Sequence, residues 1–219
     1  MNGGFAVRLD ARDLRGPKGG AVVLPTQALA EIVAEEWAGQ GEVLQLAKMH
    51  ATRLANTAIE QVPQAREATA ESVANFAATD LLCYYATDPA GLAERQERLW
   101  GPLLERAEAE VGLRFERASG IIHREQPADT LSGIKALALA LDDFALTGLA
   151  FGAALYGSAL LAIAVQRGWL TGEAAFDLSR LDEAWQEEQW GVDAEAAERT
   201  ERLRAESQML DRWFRSLAV

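Results

Sequence analysis

The feature that most constrains the fold is one long uncharged stretch in the second half of the sequence. No side chain between Phe144 and Gln166 carries a charge, and about 20 apolar residues are enough to span a bilayer as a helix. The stretch therefore forms either a membrane span or a helix buried in a protein core. Glycines such as Gly148 and Gly152 allow close helix approach in both settings, so Gly152 is predicted to be a structural residue at a tight helix contact.

The charges at the ends of this stretch favour a protein interior. Asp142 and Asp143 stand before it and Arg167 follows it, and these signs complement a helix dipole. Membrane spans usually have basic flanking loops and interfacial aromatic residues at both ends, whereas here only Trp169 fits that description. We predict one buried helix over residues 144–166 and no stable membrane insertion.

Composition and charge limit the kinds of partner. A chain of 219 residues with 49% hydrophobic and 25% charged residues has material for a sizeable core. Its formal net charge of −12 repels phosphate backbones and anionic lipid headgroups and opposes self-association. We therefore expect a soluble monomer whose partner is a protein, with no binding to nucleic acid.

Cysteine usage and the first residues indicate the compartment. Cys83 is the single cysteine, which rules out an intrachain disulfide and fits a reducing compartment. The opening residues MNGGFAVRLDARDL have no apolar signal-peptide core, so we expect a cytoplasmic protein. Cys83 lies in an apolar run with no neighbouring base, and we predict that it is structural and behaves as a small buried hydrophobe.

A small β-containing segment opens the chain. Residues 5–9 and 21–24 are strand-like runs separated by RGPKGG, whose glycines and proline favour a turn, so a β-hairpin is predicted. Thr26 then fits the cap of a helix whose apolar stripe includes Leu29, Val33 and Trp37. We predict that Trp37 is structural.

Beyond about residue 43 the pattern is helical almost throughout. The fold class is therefore α+β, mainly α, with a small N-terminal α/β domain over 1–62 and a helical domain over 63–219. The first predicted elements are helices at 49–61 and 65–86, a helix that is capped by Asp88 and divided or kinked at Pro102, and a strand at 113–117. A helix from Pro127 to Leu141 and the apolar helix follow. The last two are a helix from 171 or 172 to Trp190 and a helix from Asp193 that turns Leu203, Leu210, Phe214 and Leu217 to the core.

Catalytic and metal-binding motifs are missing from the sequence. HExxH, CxxC and GxSxG do not occur, and neither His50 nor His123 has a second nitrogen or sulfur ligand at a suitable spacing. We therefore expect a protein that is not an enzyme and that needs no metal and no cofactor.

The densest polar cluster is the segment DEAWQEEQWG at residues 182–191. Its four acidic residues are predicted to lie in the last two turns of a helix, where the dipole disfavours negative charge. Such an arrangement indicates either a cationic neighbour or a partner protein. Trp185 and Trp190 add aromatic groups of the kind enriched at protein interfaces. The alternative is a solvated acidic face with both tryptophans turned inward.

Four segments together resemble the family of assembly chaperones for the α subunit of F1-ATPase. They are LDEAWQEEQWG at 181–191, RLANTAI at 53–59, Glu36-Trp37 with Gln40, and TDLLCY at 79–84. The resemblance extends in consistent order from about residue 5 to 217. His50 stands where the family pattern usually has a proline, and Gly101 replaces a usual acidic residue.

The resemblance implies a small β-containing domain, a larger helical domain and no catalytic activity. It implies a chaperone that covers the α-subunit surface later buried by the β subunit. Together with the helix-dipole argument, it makes Asp182, Glu187, Glu188 and Trp190 the expected client-binding residues.

Two other classes of protein remain possible from the residues alone. The first is an all-α small-molecule or lipid-binding module that uses the 144–166 helix as a cavity wall. The second is a single-span membrane protein.

Overall fold

The computed structural model describes residues 3–120, 123–191 and 194–218. The fold is mainly helical with six short strands in the described residues, so the predicted fold class is confirmed. The strands are β1 (Phe5–Ala6), β2 (Arg8–Leu9), β3 (Arg12–Asp13), β4 (Val23–Leu24), β5 (Tyr84–Tyr85) and β6 (Ala118–Ser119). The helices are α1 (Gln27–Ala38), α2 (His50–Glu60), α3 (Val62–Ala78), α4 (Ala90–Val111), α5 (Ala128–Ala140), α6 (Asp143–Tyr156), α7 (Ala159–Gln166), α8 (Gly172–Ser179), α9 (Leu181–Trp190) and α10 (Ala194–Leu217).

The predicted N-terminal hairpin is present and contains a second one. β1 pairs with β4 in antiparallel register, with Phe5 opposite Leu24. Between them β2 pairs with β3, which was not predicted because residues 5–9 were interpreted as a single strand. The RGPKGG segment forms the predicted turn, and Gly19 adopts a φ of +83° that favours glycine.

Helices α1 and α2 are joined by a side chain from the first helix. Thr26 caps α1 as predicted, accepting a bond from Leu29 N at 3.1 Å. Met49 precedes α2 and offers no capping side chain. Glu36 of α1 supplies the missing acceptor, because its carboxylate lies 2.7 Å from the backbone nitrogens of Ala51 and Thr52. The start of α2 is therefore fixed by tertiary structure.

Trp37 lies at the end of the α1 stripe, half-buried against the core. Its indole nitrogen is buried and has no hydrogen-bond partner among the described residues. We expect Trp37→Ala to lower the free energy of unfolding by about 3 kcal/mol, the lower end of the range for a buried aromatic side chain, because part of the ring reaches solvent. Urea denaturation measures this, and a variant of unchanged stability that only loses client binding would show that Trp37 is not structural.

Three predictions for the middle of the chain were wrong in detail. Helix α3 ends at Ala78 instead of residue 86, because Asp80 caps a short 3-10 turn that leads into β5. Asp88 does not cap α4, which starts after Pro89. Residues 113–117 form no strand, although Leu113 and Phe115 are buried as their alternation predicted; the pairing occurs at β6 instead.

Helix α4 continues through Pro102 without being divided. A proline inside a helix removes one backbone hydrogen bond. The buried side chains of Trp100, Leu103 and Leu104 lie on both sides of it and belong to the same core. Packing of the two halves into one core explains why the helix continues.

The long apolar stretch forms two helices, so the prediction of one continuous helix was wrong. Gly157 ends α6 with a φ of +64°, and Ser158 caps α7 by accepting from Leu161 N at 3.0 Å. A left-handed glycine followed by a serine cap stops one helix and starts the next. Among the described residues, no helix combines the length and the apolar character needed to cross a membrane.

Helix α6 lies at the centre of the helical packing, against α2, α3, α7 and α10. The small residues allow the expected close approach, because a Cβ atom built on Gly148 would lie 2.9 Å from the ring of Trp213, and one on Gly152 would lie 2.8 Å from Leu210 Cδ2. One contiguous set of buried side chains extends from Val7 to Phe214. The boundary between residues 62 and 63 stays a prediction.

The C-terminal helices differ from prediction in one place. Residues 172–190 form α8 and α9, separated at Arg180, whereas one helix was predicted. In α10, Leu210 and Phe214 are buried while Leu203 and Leu217 are partly buried. Asp193, the predicted start of this helix, lies outside the described residues.

Candidate functional site

Helix α9 carries the acidic and aromatic cluster and packs against α4. Trp185 covers Gly91 of α4, where a Cβ atom would come within 2.9 Å of the indole ring. The guanidinium of Arg95 lies 5.9 Å from the centre of the same ring. Trp185 is therefore turned inward and holds α9 on α4.

Asp182 and Glu183 lie in the first turn of α9, so placing all four acidic residues in the last two turns was wrong. Because the helix is interrupted at Arg180, α9 has its own N-terminus. The helix dipole stabilises negative charge there. Asp182 accepts a hydrogen bond from Gln96 Nε2 at 2.7 Å, and burial raises the pKa of its carboxyl group. This half-buried side chain positions α9 relative to α4.

Glu187 and Glu188 lie near the C-terminus of α9 as predicted, and both have cationic neighbours. Glu188 accepts from Arg95 at 2.8 Å, and Glu187 lies 3.3 Å from Arg180 Nη2. These arginines offset the unfavourable interaction with the helix dipole. The acidic cluster is thus stabilised within the chain, and its existence alone does not require a partner.

Trp190 is the last residue of α9 and is 81% exposed. The alternative in which both tryptophans turn inward therefore applies to Trp185 and fails for Trp190. An indole exposed to water contributes little to the fold, since burial of apolar surface is what stabilises folded proteins. Glu187 and Glu188 belong to the same last turn of α9, and we call this turn with Trp190 the Trp190 surface.

An exposed apolar loop lies between α1 and α2, and the sequence pattern did not predict it. Val43, Leu44 and Leu46 are 76%, 51% and 56% exposed. The loop is held in place, because Gln45 N donates to Gln40 Oε1 at 2.8 Å and the fully buried Met49 follows it. The signal in the sequence was the group of apolar residues Val43, Leu44 and Leu46 shortly after Gly41, where the helical pattern was predicted to begin.

Cys83, His50 and His123 are the remaining candidates for reactive side chains. Cys83 is fully buried, and burial raises the pKa of its thiol, which opposes formation of the reactive thiolate. His50 Nδ1 lies 3.6 Å from Glu206, and His123 Nδ1 lies 2.9 Å from the Tyr84 hydroxyl. Across residues 3–120, 123–191 and 194–218, no group of three histidine, cysteine, aspartate or glutamate residues is placed to hold a metal ion.

The fold and the Trp190 surface define a class, namely a mainly helical protein with aromatic and carboxylate groups suited to contact with another protein. Comparison with known proteins agrees. The profile of a family described as ATP12 chaperone protein matches residues 1–108. The crystal structure of Atp12 from Paracoccus denitrificans is 38% identical, covers 98% of this chain and 92% of its own, and superposes with a TM-score of 0.90. The chain belongs to the ATP12 chaperone family, of the F1-ATPase assembly factor 2 type, and is an assembly chaperone of the ATP synthase.

Two further relatives extend the likeness. The Atu1473 protein of Agrobacterium tumefaciens is 38% identical, with 98% of this chain and 81% of that chain covered and a TM-score of 0.93. The mitochondrial protein atp12 of Schizosaccharomyces pombe is 26% identical over 203 residues, which are 87% of this chain and 70% of that protein. The likeness therefore extends well beyond residues 1–108.

Proposed function

We propose that this chaperone binds the unassembled α subunit of F1-ATPase and shields the surface that the β subunit later covers. It does so as a monomer, in a one-to-one complex, without catalysis or a cofactor. The observation that carries the proposal is the 81% exposure of Trp190, in the same last turn of α9 as Glu187 and Glu188. Tryptophan is among the residues most enriched in the energetic centres of protein interfaces.

The arrangement of α9 suits this role. Trp185, Asp182 and Arg95 hold the helix on α4, so the exposed indole is presented by a fixed support. Because the backbone of α9 is already fixed, only the rotamer of the Trp190 side chain has to be ordered on binding. The carboxylates beside it complement basic groups of a client and disfavour acidic ones.

The test is capture of the α subunit by two variants. Trp190→Ala and the double variant Glu187→Lys with Glu188→Lys are co-expressed with the α subunit, and the soluble complex is isolated by pull-down. We expect Trp190→Ala to weaken binding by about 2 kcal/mol or more and the double variant to abolish capture. The double variant loses the ion pairs with Arg95 and Arg180 and places a lysine near each arginine, so its fold should weaken by about 1 kcal/mol or more for each pair.

A matched control separates local contact from overall charge. Glu108→Lys with Glu110→Lys makes the same change in net charge near the C-terminus of α4, and both residues are exposed. This control should capture the α subunit normally, and circular dichroism should show all variants folded. Full capture by a folded double variant at Glu187 and Glu188 would remove these residues from the interface.

A further inference from the structure

A groove of about 340 Å³ lies between α2, α3 and α6. None of its lining residues belongs to α4 or α9, which form and support the Trp190 surface. Its apolar lining is formed by Leu54, Val62, Ala65, Ala150 and Phe151. Arg53, Leu54 and Thr57 belong to the RLANTAI segment, which the Trp190 surface leaves without a role.

The groove is more apolar than its composition indicates, because its three threonines use their hydroxyl groups internally. Thr57, Thr69 and Thr147 each donate to the backbone carbonyl four residues earlier, at 3.0, 2.9 and 2.6 Å. Such back-bonding satisfies the hydroxyl within its own helix. Each of these hydroxyl protons is therefore already bonded within the protein.

The charge of the groove is opposite to that of the whole chain. The lining residues include no aspartate or glutamate, although the chain has a net charge of −12. Of its two basic residues, His50 lies 3.6 Å from Glu206. Arg53 is exposed and makes no ion pair with any residue that the structure describes. An apolar groove with an unpaired guanidinium at its edge complements an apolar group that has a carboxylate beside it.

A protein segment fits this groove better than a free lipid. Pockets for small molecules usually bury 70–90% of the ligand surface, whereas this groove is open along one side and several lining residues, such as Phe151 and Thr69, are only partly buried. An acyl chain lying in it would remain partly exposed to water. A side chain from a docked protein brings its own backbone to cover the open side.

We propose that the groove between α2, α3 and α6 is a second contact site for the α subunit, and that it takes an apolar client side chain with a carboxylate beside it. This inference rests on the proposed function, because it names the same client. It assigns the RLANTAI segment a direct role in recognition. The Trp190 surface and the groove then contact separate parts of the client.

Two variants with matched controls test the groove. Arg53→Glu reverses its charge, and Ala150→Phe fills it from the α6 wall. We expect each to weaken capture of the co-expressed α subunit about tenfold or more. Arg12→Glu, an exposed arginine on β3, and Ala154→Phe, at an exposed position of α6, should bind as the wild type does. Circular dichroism checks that every variant is folded.

A photo-crosslinker tests the chemistry of the occupant directly. Phe151 is replaced by p-benzoylphenylalanine, the complex with the α subunit is irradiated, and the joined peptide is identified by mass spectrometry. The expected peptide carries an apolar residue with aspartate or glutamate next to it. A crosslinked peptide without a carboxylate, or no crosslink to a client that is bound, would overturn the proposal.

The outcomes separate this proposal from the proposed function and from lipid binding. If the wild type captures no α subunit, both fail. If the groove variants bind normally while the Glu187 and Glu188 double variant does not, only the groove proposal fails. Oleate is titrated as the lipid probe, and oleate binding that Arg53→Glu weakens, with client capture unchanged, would show a lipid site instead.

Discussion

Replacing Asp80 by alanine is expected to lower the free energy of unfolding by about 3 to 5 kcal/mol. Asp80 is fully buried, and its carboxylate accepts from Ser158 Oγ at 2.6 Å, Leu160 N at 3.0 Å and Leu82 N at 3.2 Å. Alanine would leave these three buried donors without an acceptor, and each unsatisfied group costs about 1 to 3 kcal/mol. Urea denaturation followed by circular dichroism measures the loss.

The matched control is Asp142→Ala. Asp142 also caps a helix, accepting from Ala145 N at 2.8 Å, but its side chain is exposed. Loss of an exposed cap costs about 1 kcal/mol, since water replaces the acceptor. Equal losses for the two variants would show that Asp80 acts only as a cap and that its burial adds nothing.

The same carboxyl group makes stability depend on pH. Burial raises the pKa of Asp80 to about 6, from an unperturbed value of 3.8, despite its hydrogen bonds. The folded state therefore binds this proton more tightly than the unfolded state. The resulting stabilisation is complete below about pH 4 and is lost as the pH rises through 6, with a size on the order of 3 kcal/mol.

Asp80→Asn cannot titrate, so the difference in free energy of unfolding between wild type and this variant should shift in favour of the variant from pH 4 to 7. A difference that stays constant would contradict the raised pKa.

Gly152→Leu is expected to destabilise the fold by roughly 3 kcal/mol or more, through overpacking. Even a Cβ atom at this position would lie 2.8 Å from Leu210 Cδ2 and 3.0 Å from Ala162 Cβ. The three positions belong to α6, α10 and α7, so relief of the clash requires one helix to move. For a chain of this size, the loss corresponds to a fall in Tm of about 6 to 12 °C.

The control for this substitution lies on the same helix. Ala154→Leu adds a similar side chain at an exposed position of α6 and should leave Tm nearly unchanged. Differential scanning calorimetry compares the two variants. An unchanged Tm for Gly152→Leu would show that α6 and α10 are not tightly packed there.

Local signals in the sequence were sufficient to predict several elements of secondary structure. Thr26 caps α1 because a threonine before an apolar stripe satisfies backbone donors that are three residues away. The end of α6 and the start of α7 also have a local signal in the sequence, namely Gly157 followed by Ser158. This signal was overlooked because the uncharged residues on both sides of it fit the pattern of one continuous helix. An uncharged run of this kind predicts burial well, but it does not indicate where a helix ends.

The candidate site depended more on long-range contacts. The sequence pointed to Glu187, Glu188 and Trp190, but it could not pair Glu188 with Arg95, which lies 93 residues earlier. It also could not distinguish Trp185 from Trp190, since both lie on one short helix. The difference arises because Gly91 of α4 leaves room for the first indole, while the second lies at the end of α9, where it remains exposed.

By itself, the sequence determined the mainly helical class, the burial of the apolar stretch and the family, because these depend on composition, periodicity and local motifs that persist along the chain. The tertiary structure alone decided which polar groups meet. Glu36 caps α2, Asp80 joins the 3-10 turn to α7, and the groove beside Arg53 forms only where three helices come together. These contacts join residues far apart in sequence, and their geometry is set by how helices pack, which no local pattern encodes.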